Sequence, residues 1–256
     1  MSGPPVKINA LADRTFGVST RLFRDSRLTR DHLVHVAAHG FDAVELYLSP
    51  EHFDREDATA TAQLGEWLAD TRLALHSVHI PGGAVDDTLS ALAIANQLPY
   101  SCLVMHRPAS QTERTLETIT EAAAGLGVKV ALEVRGDRDS TPEALVALIE
   151  DELDGFDVGI CLDFGRAHLM GDVGEAIETV SGHLLTTHLH DNHGKRNDHL
   201  VPYAGSIAWA MAMMETQKIG YDGALMFELA PGGDPVETLK RAARARERLA
   251  QTLVVF

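Results

Sequence analysis

Eight short aliphatic runs recur along the chain, each followed by a longer amphipathic or polar stretch. The runs carry apolar residues at consecutive positions, which is typical of parallel strands covered by helices. Eight strand-then-helix units in 256 residues match a single (β/α)8 TIM barrel over residues 1–256. The expected strands are 15–19, 43–48, 73–79, 101–106, 128–134, 157–163, 184–190 and 224–229.

The stretches between the runs carry helix signals. Pro142 follows a Ser/Thr cap and Gly155 ends that segment. A doubly wound open sheet would need a glycine-rich phosphate turn after the first strand, and GVSTRLF is not one. We therefore expect the barrel, with helices that include 57–71, 86–97, 111–124, 141–151, 207–219 and 234–251.

The charge balance restricts the partners. Lys and Arg number 22 against 37 Asp and Glu, a formal net charge of −15, which disfavours nucleic acid and anionic membranes. No apolar signal core or membrane-spanning run is evident, so we expect a cytoplasmic protein. Cys102 and Cys161 lie in apolar runs without CxxC spacing, which predicts buried free thiols.

Acids and histidines stand at the ends of seven expected strands. The carboxyl ends of barrel strands meet at one mouth, so these side chains are expected to converge there. Mixed carboxylate and imidazole donors suit a divalent ion, which would also balance crowded carboxylates. The residues are Glu45, His79, His106, Glu133, Asp163, His188 and Glu228.

Six segments at these strand ends follow one another in a familiar order. They read SVHIP, VMHRP, ALEV, CLDFG, THLHDN and FELAP. Their order resembles the xylose-isomerase-like TIM barrel superfamily of sugar phosphate isomerases and epimerases, which also contains metal-dependent AP endonucleases. The resemblance covers most of the chain. It implies a small carbohydrate substrate and one or two divalent ions (Mn²⁺, Zn²⁺, Co²⁺ or Mg²⁺), and it allows a homo-oligomer.

The resemblance also implies particular ligands. In the epimerase branch one metal is held by Glu, Asp, His and Glu from the last four strands, here Glu133, Asp163, His188 and Glu228. In the endonuclease branch two further histidines extend the site, here His79 and His106, and Glu133 would bridge two ions.

Two departures from the family pattern bear on a third ion. Arg166 stands where members often have His, and Asn197 begins a segment that is often Asp-x-His, ending at His199. A trinuclear site would lose ligands at both places. Arg166 either binds a substrate phosphate or carboxylate or forms a structural salt bridge.

Further candidates for substrate contacts flank the expected ligands. His190 points to the same strand face as His188, where it either supports the site or packs in the barrel. Glu45 either contacts substrate hydroxyls or pairs with Arg21 or Arg24. His199, in the loop after the seventh strand, is another candidate for a substrate contact.

The leading hypothesis is a metal-dependent sugar or sugar phosphate isomerase or epimerase. The resemblance implies an enediolate, with Glu133 and Glu228 removing and returning a proton. A lyase would share that intermediate. An AP-endonuclease-like phosphodiesterase is the alternative from another class, and a catalytically impaired barrel of the same superfamily is the third.

Overall fold

Eight parallel strands close into a barrel in a computed structural model that describes residues 14–82, 85–108, 113–231 and 233–254. Each strand pairs with the next along the chain, and the last pairs with the first. The expected (β/α)8 barrel is therefore confirmed. The strands are β1 (Phe16–Ser19), β2 (Ala43–Tyr47), β3 (Ala74–Ile80), β4 (Cys102–Met105), β5 (Lys129–Glu133), β6 (Val158–Asp163), β7 (Leu184–Leu189) and β8 (Leu225–Phe227).

Helices surround the barrel in the described part of the chain. They are α1 (Arg30–Ala38), α2 (Ala58–Thr71), α3 (Val85–Leu92), α4 (Glu113–Ala124), α5 (Pro142–Glu152), α6 (Phe164–Met170), α7 (Val173–Thr179), α8 (Trp209–Lys218) and α9 (Pro235–Val254). The helix expected over 86–97 divides, because a 3-10 turn at Ala93–Asn96 follows α3. Residues 111 and 112 of another expected helix lie outside the described residues.

Helix starts follow the local signals of the sequence. The Thr141 hydroxyl accepts a hydrogen bond from the amide of Ala144 at 3.2 Å, and Pro142 occupies the first position of α5. Pro is suited there because the first helical amides have no partner within the helix. Asp172 caps α7 in the same way, accepting from two backbone amides.

Small apolar side chains pack together inside the barrel below its mouth. Cys102, Val104, Ala131 and Cys161 form one buried cluster there, with Leu185 packed against it. Both cysteines are free and buried, as expected. Burial raises the pKa of the Cys161 thiol to about 12, so it stays neutral.

The helices pack on the outer face of the strands. Within the described ranges, no helix combines the length and the apolar character that crossing a bilayer requires. The buried carboxylates and imidazoles of the strand ends lie together at the carboxyl ends of the strands, where a barrel places its functional groups.

Candidate metal centre

Four acidic and imidazole side chains converge at the mouth of the barrel. One ligand atom from each lies within 4.8 Å of the others. All are buried. They are the four residues that the family resemblance implies as ligands: Glu133, Asp163, His188 and Glu228.

Strand register explains why residues so far apart in sequence meet. Asp163, the last residue of β6, pairs with His188 on β7. Glu228 directly follows β8, and its amide donates to the carbonyl of Leu189 at 3.2 Å. Asp163 also caps α6 by accepting from the amide of Arg166 at 2.9 Å. One residue therefore ends a strand, starts a helix and contributes a donor to the cluster.

His188 lies at the centre of the cluster. Its Nδ1 is 2.9 Å from Glu133 Oε1 and 3.8 Å from Glu228 Oε2. Its Nε2 is 3.0 Å from Oε2 of Glu45 on the opposite side of the ring. The imidazole therefore connects carboxylates from β2, β5 and β8.

His79 lies among the same carboxylates. Its Nδ1 is 3.4 Å from Glu228 Oε1 and 3.5 Å from Glu45 Oε1, and its Nε2 is 3.7 Å from Glu133 Oε2. Among the described residues, neither ring nitrogen has an aligned hydrogen-bond partner, although both are buried. A buried polar atom without such a partner costs free energy, so His79 is suited to a ligand that supplies one.

His106 approaches Glu133 from the neighbouring strand. Its Nε2 is 2.9 Å from Glu133 Oε2, and the guanidinium of Arg135 donates to its Nδ1 at 2.9 Å. A guanidinium can only donate, so Nδ1 accepts and the hydrogen of the neutral ring lies on Nε2, toward Glu133. His79, His106 and Glu133 also bring ligand atoms within 4.8 Å of one another.

The arginine after β1 pairs with a different glutamate from the one suggested by sequence. Arg21 Nε lies 3.6 Å from Glu228 Oε1, and its guanidinium donates to the carbonyl of Leu229 at 3.1 Å. Arg24 lies 3.9 Å from Asp25. Neither is an ion-pair partner of Glu45 within the described residues. Glu45 is completely buried beneath His188 and accepts from the Ser77 hydroxyl at 2.8 Å.

His190 fills a space beside Asp163 that a glycine leaves open. Its Nε2 is 2.7 Å from Asp163 Oδ1, and its ring stacks on His199 with centroids 3.9 Å apart. A Cβ atom at Gly165 would lie 1.9 Å from Cε1 of His190. His190 therefore faces the cluster on the same side as His188. This orientation requires that residue 165 has no side chain.

The loop after β7 holds His199 at the rim. His199 Nδ1 is 2.9 Å from the carbonyl of Glu228 and 3.2 Å from its carboxylate, and Asn197 Nδ2 is 2.9 Å from His199 Nε2. The backbone of His199 has φ +49°, in the left-handed region that residues other than glycine seldom adopt. Arg166 lies 4.0 Å from Asp163 Oδ2, so it faces the cluster from α6.

A buried aspartate fixes the rest of this loop. Asp191 accepts from the amide of Ile207 at 3.1 Å and from the indole of Trp209 at 2.8 Å. Its backbone also pairs with Leu200 in an antiparallel bridge. The sequence analysis missed this anchor, although an aspartate directly after the strand-end histidines was a usable signal.

The imidazoles are more basic here than in water. Burial lowers the pKa of His79, but Glu133, Glu228 and Glu45 outweigh it and raise the pKa to about 10. The pKa of His188 is also well above its usual value, because burial is again outweighed by anionic neighbours that include Glu45 and Glu228. Without an ion, protons on these rings supply the positive charge that the carboxylates need.

The carboxylates shift in the opposite direction. Burial raises the pKa of Glu45, Glu133 and Glu228, but the nearby imidazoles lower it by more, so all three values lie well below the usual range. His199 differs from the other two imidazoles, because burial and the neighbouring His190 lower its pKa to about 4. The cluster thus combines ionised carboxylates with a neutral histidine at its rim.

The donor set fits a divalent cation. Oxygen and nitrogen donors of this mixture suit Mn²⁺, Zn²⁺, Co²⁺ or Mg²⁺, and buried carboxylates need a compensating charge. Within the described residues, Glu45 Oε1 and both nitrogens of His79 lack an aligned hydrogen-bond partner. An ion would replace the protons that otherwise balance the cluster.

The sequence model of the Xylose isomerase-like TIM barrel family matches residues 33–251. The chain belongs to this family. An uncharacterised protein of Methanocaldococcus jannaschii is 27% identical over 277 aligned residues, which cover 95% of this chain and 90% of that protein. The match therefore extends over nearly the whole length of both proteins.

Solved structures share the fold of this family member. A D-tagatose 3-epimerase-like protein has a TM-score of 0.76 at 22% identity, covering 93% of this chain and 98% of that one. D-psicose 3-epimerase in the presence of D-fructose has a TM-score of 0.78 at 17% identity, and the match covers 94% of this chain and 99% of that one. A xylose isomerase-like TIM barrel protein from Mycobacterium smegmatis in complex with magnesium has a TM-score of 0.75 at 15% identity, and the match covers 96% of this chain and 98% of that one. At these identities the likeness establishes the common fold.

Proposed function

We propose that this chain is a divalent-metal-dependent isomerase or epimerase of a small carbohydrate. The observation that carries the proposal is the convergence of two glutamates with an aspartate and a histidine at the mouth of a closed barrel. Glu133, Asp163, His188 and Glu228 would hold the ion. His79 and His106, which flank Glu133, remain predicted ligands of a second ion.

The proposed chemistry is proton transfer next to a carbonyl group. A bound divalent ion would act as a Lewis acid toward that carbonyl and a neighbouring hydroxyl, lowering the pKa of the adjacent C–H. Glu133 and Glu228 reach His188 from different strands, so each could move a proton on its own side of a substrate. Their lowered pKa values keep both carboxylates ionised at neutral pH, as removal of a proton requires.

Hydrogen bonds orient the proposed base. Glu133 has one oxygen near His188 and the other near His106, both at 2.9 Å. A carboxylate held at both oxygens is preorganised, which lowers the cost of reaching the transition state. The contacts of the Glu228 carboxylate are longer, at 3.2 Å to His199, 3.4 Å to His79 and 3.6 Å to Arg21. We therefore assign the first proton abstraction to Glu133.

The relatives support a carbohydrate substrate. Two of the structures compared above are, by their descriptions, a D-tagatose 3-epimerase-like protein and a D-psicose 3-epimerase with D-fructose, and a third contains magnesium. Substrate contacts are proposed for the side chains at the rim, which are Arg166, His190 and His199. Glu45 was also predicted to contact substrate. A cytoplasmic location and a homo-oligomer remain predictions.

Deuterium exchange tests the proposal. The protein is loaded with Mg²⁺, Mn²⁺ or Co²⁺ and incubated in D₂O with free and phosphorylated ketoses and aldoses. The reaction is stopped with EDTA and the sugars are read by proton NMR. We expect deuterium at the carbon next to the carbonyl, together with an epimer or the isomeric aldose. Loss of water from the sugar would identify a lyase instead. Tight metal binding without exchange in any sugar would contradict the proposal and favour an impaired barrel.

A phosphodiesterase is the second candidate, because His79, His106 and Glu133 could hold another ion. Arg135 already occupies His106 Nδ1, and Arg166 and Asn197 stand where further ligands are often found in the family. Metal analysis combined with nicking of abasic DNA separates the two functions. Three bound ions with cleavage would favour the nuclease, whereas one or two ions without cleavage would favour the isomerase or epimerase.

A further inference from the structure

Glu45 is a buried carboxylate to which the proposed chemistry gives no role. It has no exposed surface and lies on β2, between Ser19 of β1 and Ser77 of β3. Burying a carboxylate costs free energy unless it is paired. The Ser77 hydroxyl and His188 Nε2 both lie within hydrogen-bond distance of its Oε2, and His79 Nδ1 lies 3.5 Å from its Oε1. Its position is therefore explained by the histidine above it.

A strand irregularity directs Ser77 toward this carboxylate. The register of β2 against β3 shifts after Val44, which is opposite Leu75, so that Glu45 is opposite Ser77 and His76 becomes the extra residue. Such bulges re-aim side chains next to functional sites. The Ser77 hydroxyl donates to Glu45 Oε2 at 2.8 Å. Glu45 is thus held from below while it contacts His188.

The two nitrogens of His188 face different surroundings. Nδ1 faces Glu133 and Glu228, which are proposed ligands, whereas Nε2 is 3.0 Å from Glu45 Oε2. A carboxylate can only accept, so the hydrogen on Nε2 points to Glu45. By the same reasoning Nδ1 of the metal-free ring carries a hydrogen toward Glu133, and an ion held by Glu133 and Glu228 would take the place of that hydrogen, which leaves Nδ1 as the ligating nitrogen. Carboxylates that orient ligating histidines in this way support metal affinity from outside the ligand set.

We propose that Glu45 is a positioning residue that keeps the hydrogen of His188 on Nε2, so that Nδ1 is presented to a divalent ion. This inference rests on the proposed metal-dependent function and adds to it. Glu45, His79, His188 and Glu228 also bring possible ligand atoms within 4.8 Å of one another. We assign Glu45 to orienting His188 because its Oε2 accepts from Ser77 and faces Nε2, whereas Glu133 and Glu228 face Nδ1. This role differs from the substrate contact that sequence suggested for Glu45, because the residue is sealed beneath the cluster.

Manganese binding tests this assignment directly. We expect Glu45→Leu to weaken Mn²⁺ binding, measured by electron paramagnetic resonance, by about 10- to 100-fold. Glu45→Gln retains an acceptor oxygen but loses the charge, so its affinity should lie between those of wild type and Glu45→Leu. Thr187→Val is the matched control: Thr187 is buried on the same strand as His188 and donates to Ala224, but it faces the other side of the sheet.

Nitrogen-15 NMR of histidine gives a second measurement that does not depend on turnover. In the Zn²⁺- or Mg²⁺-loaded protein, we expect His188 to show a proton on Nε2 and none on Nδ1. Glu45→Gln should keep that pattern and Glu45→Leu should lose it. Wild-type Mn²⁺ affinity in Glu45→Leu, or a loaded wild-type protein with no proton on Nε2, would overturn the inference.

The outcomes separate this inference from the proposed function. If the wild-type protein binds Mn²⁺ with the expected His188 pattern but converts no carbohydrate, the proposed function fails and the role of Glu45 stands. If the chain binds no divalent ion at all, both fail. If Glu45→Leu does not fold, the affinity and spectrum of Glu45→Gln decide the question.

Discussion

Glu133 has an imidazole at each of its oxygens, 2.9 Å from His188 Nδ1 on one side and 2.9 Å from His106 Nε2 on the other. The carboxylate is therefore fixed in one orientation by groups from β4 and β7. Its proposed role as a base requires a negative charge as well as this orientation. The two requirements can be separated by substitution.

Glu133→Gln should remove turnover while leaving the barrel folded. The amide has nearly the same shape but cannot accept a proton from carbon, so we expect kcat to fall by at least about 100-fold. Exchange in D₂O measures the loss, and circular dichroism measures the fold. Glu152→Gln, at the exposed end of α5, is the control and should have wild-type activity. A metal-loaded Glu133→Gln enzyme with normal exchange would contradict this role.

Arg135 should matter through His106. Arg135→Met removes the donor to His106 Nδ1. The ring hydrogen can then move from Nε2 to Nδ1, and His106 would lose its hydrogen bond to Glu133. We expect kcat to fall about tenfold, equivalent to about 1.4 kcal/mol, with little change in thermal stability. Arg138→Met, on the same loop and exposed, is the control. Equal kcat values for the two variants would show that the ring needs no such support.

Sequence was sufficient to name the residues at the mouth, but their pairing depended on the three-dimensional register. Strand ends alone predicted that Glu133, Asp163 and His188 converge, and the structure brings them together. Arg21 was considered as a partner of Glu45 and lies beside Glu228 instead. That difference depends on the β2–β3 bulge and on barrel closure, which no local pattern encodes.

At the scale of elements, the junction of β6 and α6 is the tightest part of the site. Asp163 ends the strand and caps the helix, so no loop residue separates the two elements. The sequence predicted the strand of this region but not the helix that follows it, because no turn residues mark the point where the helix begins. The helix itself begins against His190, which is possible because residue 165 is glycine.

Gly165→Ala should destabilise the protein. The new methyl group would overlap His190, and overpacking of this kind costs about 1–3 kcal/mol. Urea unfolding measures the change. Gly182→Ala is the matched control, because a Cβ there meets nothing within 4 Å, and it should be close to neutral. Adding His190→Ala to Gly165→Ala should restore most of the stability. If it does not, the overlap with His190 is not the cause.

At the scale of the whole molecule, the cluster makes stability depend on pH. The pKa of His79 is raised to about 10, and that of His188 is raised too, so their contribution is complete below about 6.5 and is lost as pH rises toward 10. The pKa of His199 is lowered to about 4, so its burial costs stability below about 6.5. The lowered pKa values of the buried glutamates add stability above about 4.5 that is lost in acid.

The metal-free protein should therefore be most stable near pH 6.5. Above that pH we expect the free energy of unfolding to fall by up to about 2–3 kcal/mol per pH unit, because two imidazoles each contribute about 1.4. Urea unfolding in EDTA at pH 6.5, 7.5 and 8.5 measures this. His79→Gln should have a shallower slope. A flat profile across this range would show that the two rings are neutral in the metal-free state.

A divalent ion should weaken this dependence. Binding displaces protons from the imidazoles, so affinity for Mn²⁺ is expected to increase from pH 6.5 to 8.5. Stabilisation by a ligand follows its concentration relative to Kd and reaches about 2.7 kcal/mol at 100 times Kd. The loaded protein should then lose less stability than the metal-free protein as pH rises.

The shortest of the described strands completes the closed barrel. β8 has three residues, yet it pairs with both β7 and β1, and Glu228 follows it immediately. Until β8 has been synthesised, the nascent chain exposes unpaired strand edges at β1 and β7, and these edges can pair with other chains. A message that stops before codon 225 would therefore yield a polypeptide that can neither close the barrel nor assemble the proposed metal site, and proteases should clear it.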